Sequence, residues 1–451
     1  MAEYGVSSRA QFFKTPTKEL AYVSGGKFIE IYPKNTVSET SKNPIIFEWG
    51  PMSGYSYNFR DSRLVFKLKI ANGATGAAPA ANNKLVRPVN GIGVLFFKRM
   101  QLFLNNFPVH TNLMDIGLKT LIDTMIERPK NTENNDILWG HTYLPLEDKI
   151  LAQTSQIFDA DKVQELRGWT TFIVKIPLDF CRTTVNIPCL EHVSWELRLF
   201  PHDNEYVLNY GFDDPNAPEA ELGTNWVIKL KDDIKLRLRC DKFSHETAQA
   251  HVAETLNSNI PYKIHYKPTV VRSYTIPPEQ KYLNLQDIFP REKPVAIYVT
   301  FLTQEAFLGS KQHNPCYFHP GDGFESLAVY SNGELIGEHK PLKISMDDPE
   351  TLKELYNHNR NVIGLDDGDQ DLFWSHKDLA RGYFLWGVPI RPTSEAEGLV
   401  PMLDETIISA NISYKTDVAK TDTMVVLFYA IMTLNELKIY FDGSILNEFS
   451  M

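Results

Sequence analysis

Two stretches of the chain share one pattern of apolar and polar positions. Residues 97–109 read FKRMQLFLNNFPV, and residues 324–336 read FESLAVYSNGELI. In both, apolar side chains recur at every second position until the alternation breaks at Asn-Asn or Asn-Gly. Because Asn and Gly tolerate the positive φ angles of a tight turn, each stretch is predicted to be a strand that runs into a hairpin.

Three further pairs of stretches accompany this match in the same order along the chain. A single match has chance as its alternative explanation, but four in one order predict two copies of one module. In chain order, the four pairs are 65–70 with 297–302, the two hairpin strands described above, a helix over 112–127 with a helix beginning at Asp348, and 172–178 with 384–390.

Neither half alternates helices with strands, so a doubly wound parallel sheet is not expected. The predicted fold class is all-β, with two tandem jelly-roll barrels of about eight strands each and short helices in the loops. The predicted division is an N-terminal arm over 1–43 that meets a neighbour, a first jelly roll over 44–243, a linker helix over 244–260 and a second jelly roll over 261–451.

Two strands carry more specific expectations. Residues 424–441 are the most apolar stretch of the chain, which predicts a strand buried on both faces. Residues 234–239 read IKLRLR, a strict alternation that predicts one face in the core and one face that is basic and solvated.

Composition narrows the class of protein. A chain of 451 residues is expected to form two domains. Its net charge of −10 argues against a body that wraps nucleic acid, and we expect no sequence-specific nucleic-acid binding.

The longest apolar run, 424–434, is shorter than the roughly 20 residues of a membrane span, and the N-terminus lacks the apolar core of a signal peptide. Four cysteines without CxxC spacing indicate reduced thiols in a cytosolic or nuclear setting.

The strongest metal candidate is a group of three residues in one loop. His313, Cys316 and His319 have H-x-x-C-x-x-H spacing, but zinc requires a fourth ligand and no second cluster lies near in sequence. Structural histidines are the favoured interpretation. We therefore predict no metal site and no cofactor.

An acidic loop is the other candidate for chemistry. Residues 366–371, DDGDQD, concentrate the carboxylates of Asp366, Asp367, Asp369 and Asp371, without the Glu that closes an EF-hand loop. A solvated loop is favoured over a calcium site, and adjacent carboxylates have no fixed separation for glycoside hydrolysis. We predict no catalytic residue and no enzymatic activity.

Several segments of the chain match the pattern of one protein family. They are YTIP at 274–277, NLQDIF at 284–289, EAFLGS at 305–310, Asn314-Pro315, LAVYSNG at 327–333 and, in the first half, MQLFLNN at 100–106. Through them the chain resembles the major capsid proteins of Polinton/Maverick elements and their adintovirus relatives, densely over about 270–336, moderately over 90–127 and only in architecture elsewhere. The predicted linker helix is longer than is usual there.

This resemblance implies a double jelly-roll capsid protein. Such proteins assemble as homotrimers whose six barrels form a pseudo-hexagonal capsomer, and the capsomers tile an icosahedral shell around double-stranded DNA. Neighbouring capsomers and the penton (vertex) and cement proteins are the implied partners. The implied location is the virion, assembled in the host nucleus or cytoplasm.

Two functions of different classes therefore stand at the level of sequence. The first is the structural shell protein just described. The alternative is a glycan-binding or glycan-cleaving protein built on paired jelly rolls, which requires converging carboxylates or aromatic side chains in a cleft.

Overall fold

The computed structural model of the protein describes most of both halves of the chain. The described residues are 23–39, 43–52, 54–78, 86–89, 91–110, 116–127, 168–183, 186–189, 193–210, 226–243, 261–290, 292–310, 313–336, 342–363, 372, 374–390, 407–416, 418, 420, 422–433, 435–440 and 445–448. We call the part up to residue 243 the first module and the part from residue 261 the second module.

Strands dominate both modules. Those of the first are β1 Val23–Ile31, β2 Ile45–Trp49, β3 Tyr55–Asn72, β4 Val86–Pro88, β5 Phe97–Leu104, β6 Phe107–His110, β7 Thr170–Lys175, β8 Ile187–Pro188, β9 Trp195–Pro201, β10 Leu208–Tyr210, β11 Trp226–Leu230 and β12 Lys235–Phe243. Those of the second are β13 Tyr262–Tyr266, β14 Thr269–Ile276, β15 Tyr282–Leu285, β16 Pro294–Thr303, β17 Phe324–Ser331, β18 Glu334–Leu335, β19 Leu342–Lys343, β20 Trp386–Pro389, β21 Ile408–Tyr414, β22 Met424–Met432, β23 Asn435–Ile439 and β24 Ile445–Glu448.

The helices are short. They are α1 Ile92–Leu95, α2 Ile116–Glu127, α3 Asn204–Val207, α4 Gln304–Leu308 and α5 Pro349–Ile363, with 3-10 turns at Asp179–Arg182 and Asp378–Arg381. Helices α2 and α5 follow the two hairpins, as the sequence predicts. Within the described residues, no helix has both the length and the apolar character needed to cross a membrane.

The two modules have the same strand topology. In the first, one sheet contains β1, β12, β3 and β7 in that spatial order, and the other contains β2-β9-β5-β6. In the second, the sheets are β14-β22-β16-β20 and β15-β21-β17-β18. We call the eight strands just named in each module its core strands and number them 1 to 8 along the chain. Their spatial order is then 1-8-3-6 in one sheet and 2-7-4-5 in the other, in both modules, which is the jelly-roll arrangement. The predicted duplication and fold class are confirmed.

Both hairpins turn through the predicted Asn residues and use them in the same way. Asn105 and Asn332 have φ angles of 47° and 51°. The side-chain oxygen of Asn105 accepts a hydrogen bond from Ser194 N at 2.8 Å, and that of Asn332 accepts one from Ile407 N at 2.9 Å. Ser194 and Ile407 each precede the seventh core strand. The Asn therefore fixes the turn and also holds the neighbouring strand.

Three phenylalanine rings join the two sheets of the first module. Phe66 on β3 lies 5.3 Å from Phe97 on β5 and 5.6 Å from Phe172 on β7, measured between ring centroids. All three side chains are buried. The second module repeats this cluster: Phe301 on β16 lies 5.4 Å from Phe324 and 5.7 Å from Phe384.

These clusters correct one detail of the sequence comparison. The match of 65–70 with 297–302 pairs the right strands in the wrong register, because it places Phe66 opposite Tyr298. The contacts make Phe301 the counterpart of Phe66. A shift of three residues exchanges the two faces of a strand. Tyr298 in fact points away from the cluster, on the outward face of its sheet.

The prediction of an arm over 1–43 is wrong for part of that range. Residues 23–31 form β1, which pairs antiparallel with β12 from Ile31↔Leu236 to Val23↔Phe243. The adjacent Gly25 and Gly26 interrupt the apolar alternation in this stretch, which hides the strand in the sequence. Residues 1–22 and the predicted linker helix lie outside the described residues.

Strand burial follows the predicted patterns. In β22 every side chain except that of Ile431 is buried, and the strand lies between β14 and β16. The run 424–441 divides into β22 and β23. In β12, Leu236, Leu238 and Cys240 are buried while the alternate side chains point outward, so the face predicted to be basic is confirmed.

We expect Phe97→Ala and Phe324→Ala each to lower the free energy of unfolding by about 3–5 kcal/mol, because each removes a buried ring from a cluster that joins two sheets. Urea denaturation measures the effect. Tyr282→Ala is the control, since this ring is 56% exposed. Losses no larger than in the control would contradict the assignment of these clusters as cores.

Candidate functional site

Charged side chains meet where the first module contacts the second. We call this group the junction network. Its members are Lys119 and Asp123 on α2, Asp179 and Arg182 on the 3-10 turn after β7, Thr269 at the start of β14, and Tyr429 on β22.

Lys119 is at the centre of the junction network. Its Nζ lies 2.7 Å from Asp123 Oδ2 and 2.7 Å from Asp179 Oδ1. Arg182 donates to Asp123 Oδ2 as well. Lys119 therefore connects helix α2 to the 3-10 turn, and both belong to the first module.

The second module donates hydrogen bonds to the same two carboxylates. Tyr429 donates its hydroxyl hydrogen to Asp123 Oδ1. Thr269 donates both its backbone N–H and its hydroxyl to Asp179 Oδ2, each at 2.9 Å. Both oxygens of each carboxylate thus have partners within the protein.

Apart from Arg182, whose side chain is 31% exposed, the junction network is removed from solvent. Lys119 is 0% exposed, and Asp123 and Asp179 are 2% exposed each. Two cations and two carboxylates balance in charge. A buried ion pair adds little net stability compared with apolar residues, but removal of one partner leaves an uncompensated charge. Such a network therefore specifies which surfaces meet more than it strengthens their contact.

Local sequence explains how α2 presents these side chains. Leu118, Ile122 and Met125 form its apolar stripe and belong to the core. Lys119 and Asp123 are one helical turn apart, so they form an i, i+4 pair beside that stripe. The helix packs on β5 and α1 of its own module. Its polar stripe contacts the outward face of the second module's sheet.

Other contacts surround the junction network. Trp374 Nε1 donates to the backbone oxygen of Met125 at the end of α2, at 2.9 Å. Tyr266 donates its hydroxyl to Val109 O at 3.3 Å, and its ring packs edge-on against Phe180 with centroids 5.6 Å apart. The junction therefore combines aromatic packing with paired charges.

Burial raises the pKa of Tyr429 well above its ordinary value of 10.0, and the negative charges of Asp123 and Asp179 raise it further. The hydroxyl consequently stays protonated and acts as a donor. Every polar group that we describe here is engaged within the protein. The arrangement is suited to holding two modules together and offers no free acid or base.

The loop with H-x-x-C-x-x-H spacing is not assembled as a metal site. His313 Nε2 lies 2.6 Å from Glu305 Oε2, and His319 Nδ1 accepts a hydrogen bond from Gly321 N at 3.0 Å. Cys316 is buried. Across the described part of the chain, no group of three or more His, Cys, Asp or Glu side chains is placed to hold a metal ion.

The remaining candidates divide between described and undescribed residues. The acidic loop Asp366–Asp371 lies outside the described residues, so its interpretation stays a prediction. All four cysteines are free thiols. Burial raises the pKa of Cys240 to about 12 and that of Cys189 to about 11, so these thiols are poor nucleophiles at neutral pH.

The junction network was not predicted from the sequence. An i, i+4 Lys-Asp pair on an amphipathic helix is usually a solvated surface pair. The only unusual signal is that Lys119 and Asp123 border the apolar stripe of a helix in an otherwise all-β chain. Nothing in the sequence links them to Asp179 or Tyr429.

Comparison by sequence finds a distant relative. No family model matches the chain. An uncharacterised protein of Caenorhabditis elegans is 20% identical over 393 residues, which cover 84% of this chain and 87% of that protein.

Similar solved structures include three from viruses. The major capsid protein of mavirus has a TM-score of 0.52 and 11% identity, over 98% of this chain and 93% of its own. A chain from the cryo-EM structure of the Sputnik virophage has a TM-score of 0.57 and 13% identity, over 99% and 93%. The Faustovirus major capsid protein has a TM-score of 0.54 and 8% identity, over 95% and 92%. At these identities the likeness establishes the double jelly-roll fold.

We expect Lys119→Met to lower the free energy of unfolding by about 3–5 kcal/mol, because two buried carboxylates lose the cation between them. Urea denaturation at neutral pH measures this loss. The control is Lys98→Met on the exposed side of β5. A change as small as that of the control would mean that the junction network does not depend on its central charge.

We expect Tyr429→Phe to cost about 1–3 kcal/mol at pH 8, because Asp123 Oδ1 loses a buried donor. The folded-state pKa of Tyr429 is raised, so its contribution is complete below the unfolded value of about 10 and decreases as pH rises above it. The difference between wild type and variant should therefore shrink from pH 9 to pH 11. Tyr282→Phe, on an exposed ring, should show neither effect.

Proposed function

We propose that this protein is the major capsid protein of an icosahedral shell around double-stranded DNA. In this proposal three chains close into a pseudo-hexagonal capsomer. Virion location, assembly in the host nucleus or cytoplasm, and contacts with neighbouring capsomers and with vertex and cement proteins belong to the same proposal. So does membership of the Polinton/Maverick group with its adintovirus relatives.

The observation that carries the proposal is the repeated jelly roll with an internal junction. Two modules of one topology are joined through different surfaces: the α2 side of the first contacts a sheet face of the second. A contact between unlike surfaces is heterologous, and rotation that closes it yields a ring. Three chains with two modules each supply six corners.

The structural likenesses support the same function. Two of the three solved structures described above are named as major capsid proteins, and their alignments extend over more than nine-tenths of each chain. Assembly of this kind buries on the order of 2,000–5,000 Å² at obligate contacts.

A structural role also fits the state of the buried acids. Asp123 and Asp179 are buried, and their oxygens contact Lys119, Arg182, Tyr429 and Thr269 within the protein. A glycan-cleaving enzyme needs two carboxylates that face a substrate. We therefore propose a non-enzymatic function.

The purified chain should form a trimer at micromolar concentration, because a capsomer is the unit that tiles the shell. Size-exclusion chromatography with light scattering should give three times the mass of one chain. Electron microscopy of the same fraction should show six-cornered particles. A stable monomer over this concentration range would contradict the proposal.

A further inference from the structure

One sheet face has opposite environments in the two modules. In the second module, the outward face of β14-β22-β16-β20 is covered by two helices: Tyr429 contacts Asp123 on α2 of the first module, and Val362 on the module's own α5 lies beside Gly387 and Tyr298. Tyr298 and Tyr429 are directly opposite each other there, as are Thr300 and Leu427. These four side chains are 0–2% exposed. The face is uncharged at these positions and fully covered.

The corresponding face of the first module is charged and partly exposed, although Val65 within it is buried. With Phe66 as the counterpart of Phe301, Arg63 takes the place of Tyr298 and Val65 that of Thr300. Across the strand pair, Arg237 and Lys235 take the places of Tyr429 and Leu427. The Arg237 side chain is 43% exposed, whereas Tyr429 is 2% exposed.

Basic side chains prevail over this whole face, although the chain as a whole carries a net charge of −10. Those pointing outward are Arg63, Lys67 and Lys69 on β3, Lys175 on β7, and Lys235, Arg237 and Arg239 on β12, against the acids Glu30, Asp233 and Asp241.

The acids are bound within the chain: Lys235 lies 2.8 Å from Glu30, and Lys67 lies 2.8 Å from Asp233. Such exposed pairs are weak, about 0–1 kcal/mol as a class, so they yield to a better partner.

Helix α5 carries a surface of complementary charge that is exposed in the described part of the chain. Its apolar positions Leu352, Leu355 and Tyr356 repeat the spacing of Leu118, Leu121 and Ile122 on α2. The stripe of α2 that contains Lys119 and Asp123 is buried at Ile116, Lys119, Thr120 and Asp123. At the same sequence offset α5 has Glu350, Lys353, Glu354 and Asn357, and all four are exposed. Helix α5 itself packs on β20 and on the 3-10 turn Asp378–Arg381. Asp347 and Asp348 add exposed negative charge at the start of this helix.

We propose that the basic outward face of β1, β12, β3 and β7 binds the acidic stripe of α5 from a second copy of this chain. The inference rests on the proposed function and specifies its interface. Each chain completes the helix-on-sheet contact once internally. Among the described residues, one sheet face and one helix stripe stay open, and these complement each other in charge.

The contact between the two modules of one chain and the proposed contact between two chains should respond differently to salt. The internal contact is buried, so ions in solution screen it little. The contact between chains pairs exposed charges, so its strength and rate of formation fall as ionic strength rises. Higher salt should therefore dissociate the trimer into folded chains.

Charge reversal tests the pairing directly. Lys235→Glu with Arg237→Glu places acids opposite acids, and Glu350→Lys with Glu354→Lys places bases opposite bases. We expect each double variant to raise the concentration at which half the trimer dissociates by about tenfold or more in light scattering. The chain that carries all four changes should recover most of the wild-type assembly, because the charges are exchanged.

The matched controls are Lys98→Glu and Glu325→Lys. They reverse exposed charges on β5 and β17, in the other sheet of each module, and should leave assembly unchanged. Far-UV circular dichroism and thermal unfolding of every variant check that the chain stays folded.

The outcomes separate the two proposals. A wild-type trimer whose assembly neither double variant weakens would overturn the pairing and leave the capsid function standing. Loss of assembly in both double variants without recovery in the fourfold variant would also overturn it. A wild-type chain that never assembles would instead contradict the capsid function itself.

Discussion

The burial of Lys119 between Asp123 and Asp179 makes the two modules depend on each other. Both carboxylates need donors from the second module, and Tyr429 and Thr269 supply them. A shift of one module relative to the other would leave buried charges without partners, which costs far more than the aligned contact provides. The relative position of the modules is thereby fixed by electrostatics, while apolar packing supplies most of the adhesion.

The duplication explains why that junction takes its particular form. Both modules keep the same inner core, the phenylalanine clusters and the Asn-held hairpins, because those features build each jelly roll. Their outward sheet faces have diverged. The second module has tyrosine and leucine where the first has arginine and lysine. In the proposed ring, similar cores with unlike exteriors would allow one chain to offer two different contact surfaces.

Much of the inner core could be predicted from sequence, and much of the exterior could not. Phe97 and Phe324 repeat with their hairpins because the core demands similar side chains in both modules. The alignment of β3 with β16 was predicted in the wrong register because both faces of β16 are apolar, so the alternation of apolar and polar positions gives no signal there. Strand β1 was missed since Gly25 and Gly26 interrupt its pattern. The junction network joins Lys119 to Tyr429 across more than 300 residues, a distance at which periodicity carries no information.

Because their outward sheet faces differ, the two modules would expose different kinds of surface to solvent if each were isolated. Without the first module, the second would expose Tyr429 and the part of its outward sheet face that α2 covers, which favours aggregation. Without the second, the first would expose a charged face that water solvates well, although Asp123 and Asp179 would lose donors. The second module is therefore the dependent partner, and its outward face requires α2 beside it. Under the proposed assembly, a face that is apolar where its own chain covers it, and charged where a second copy binds, would keep each chain soluble until it assembles.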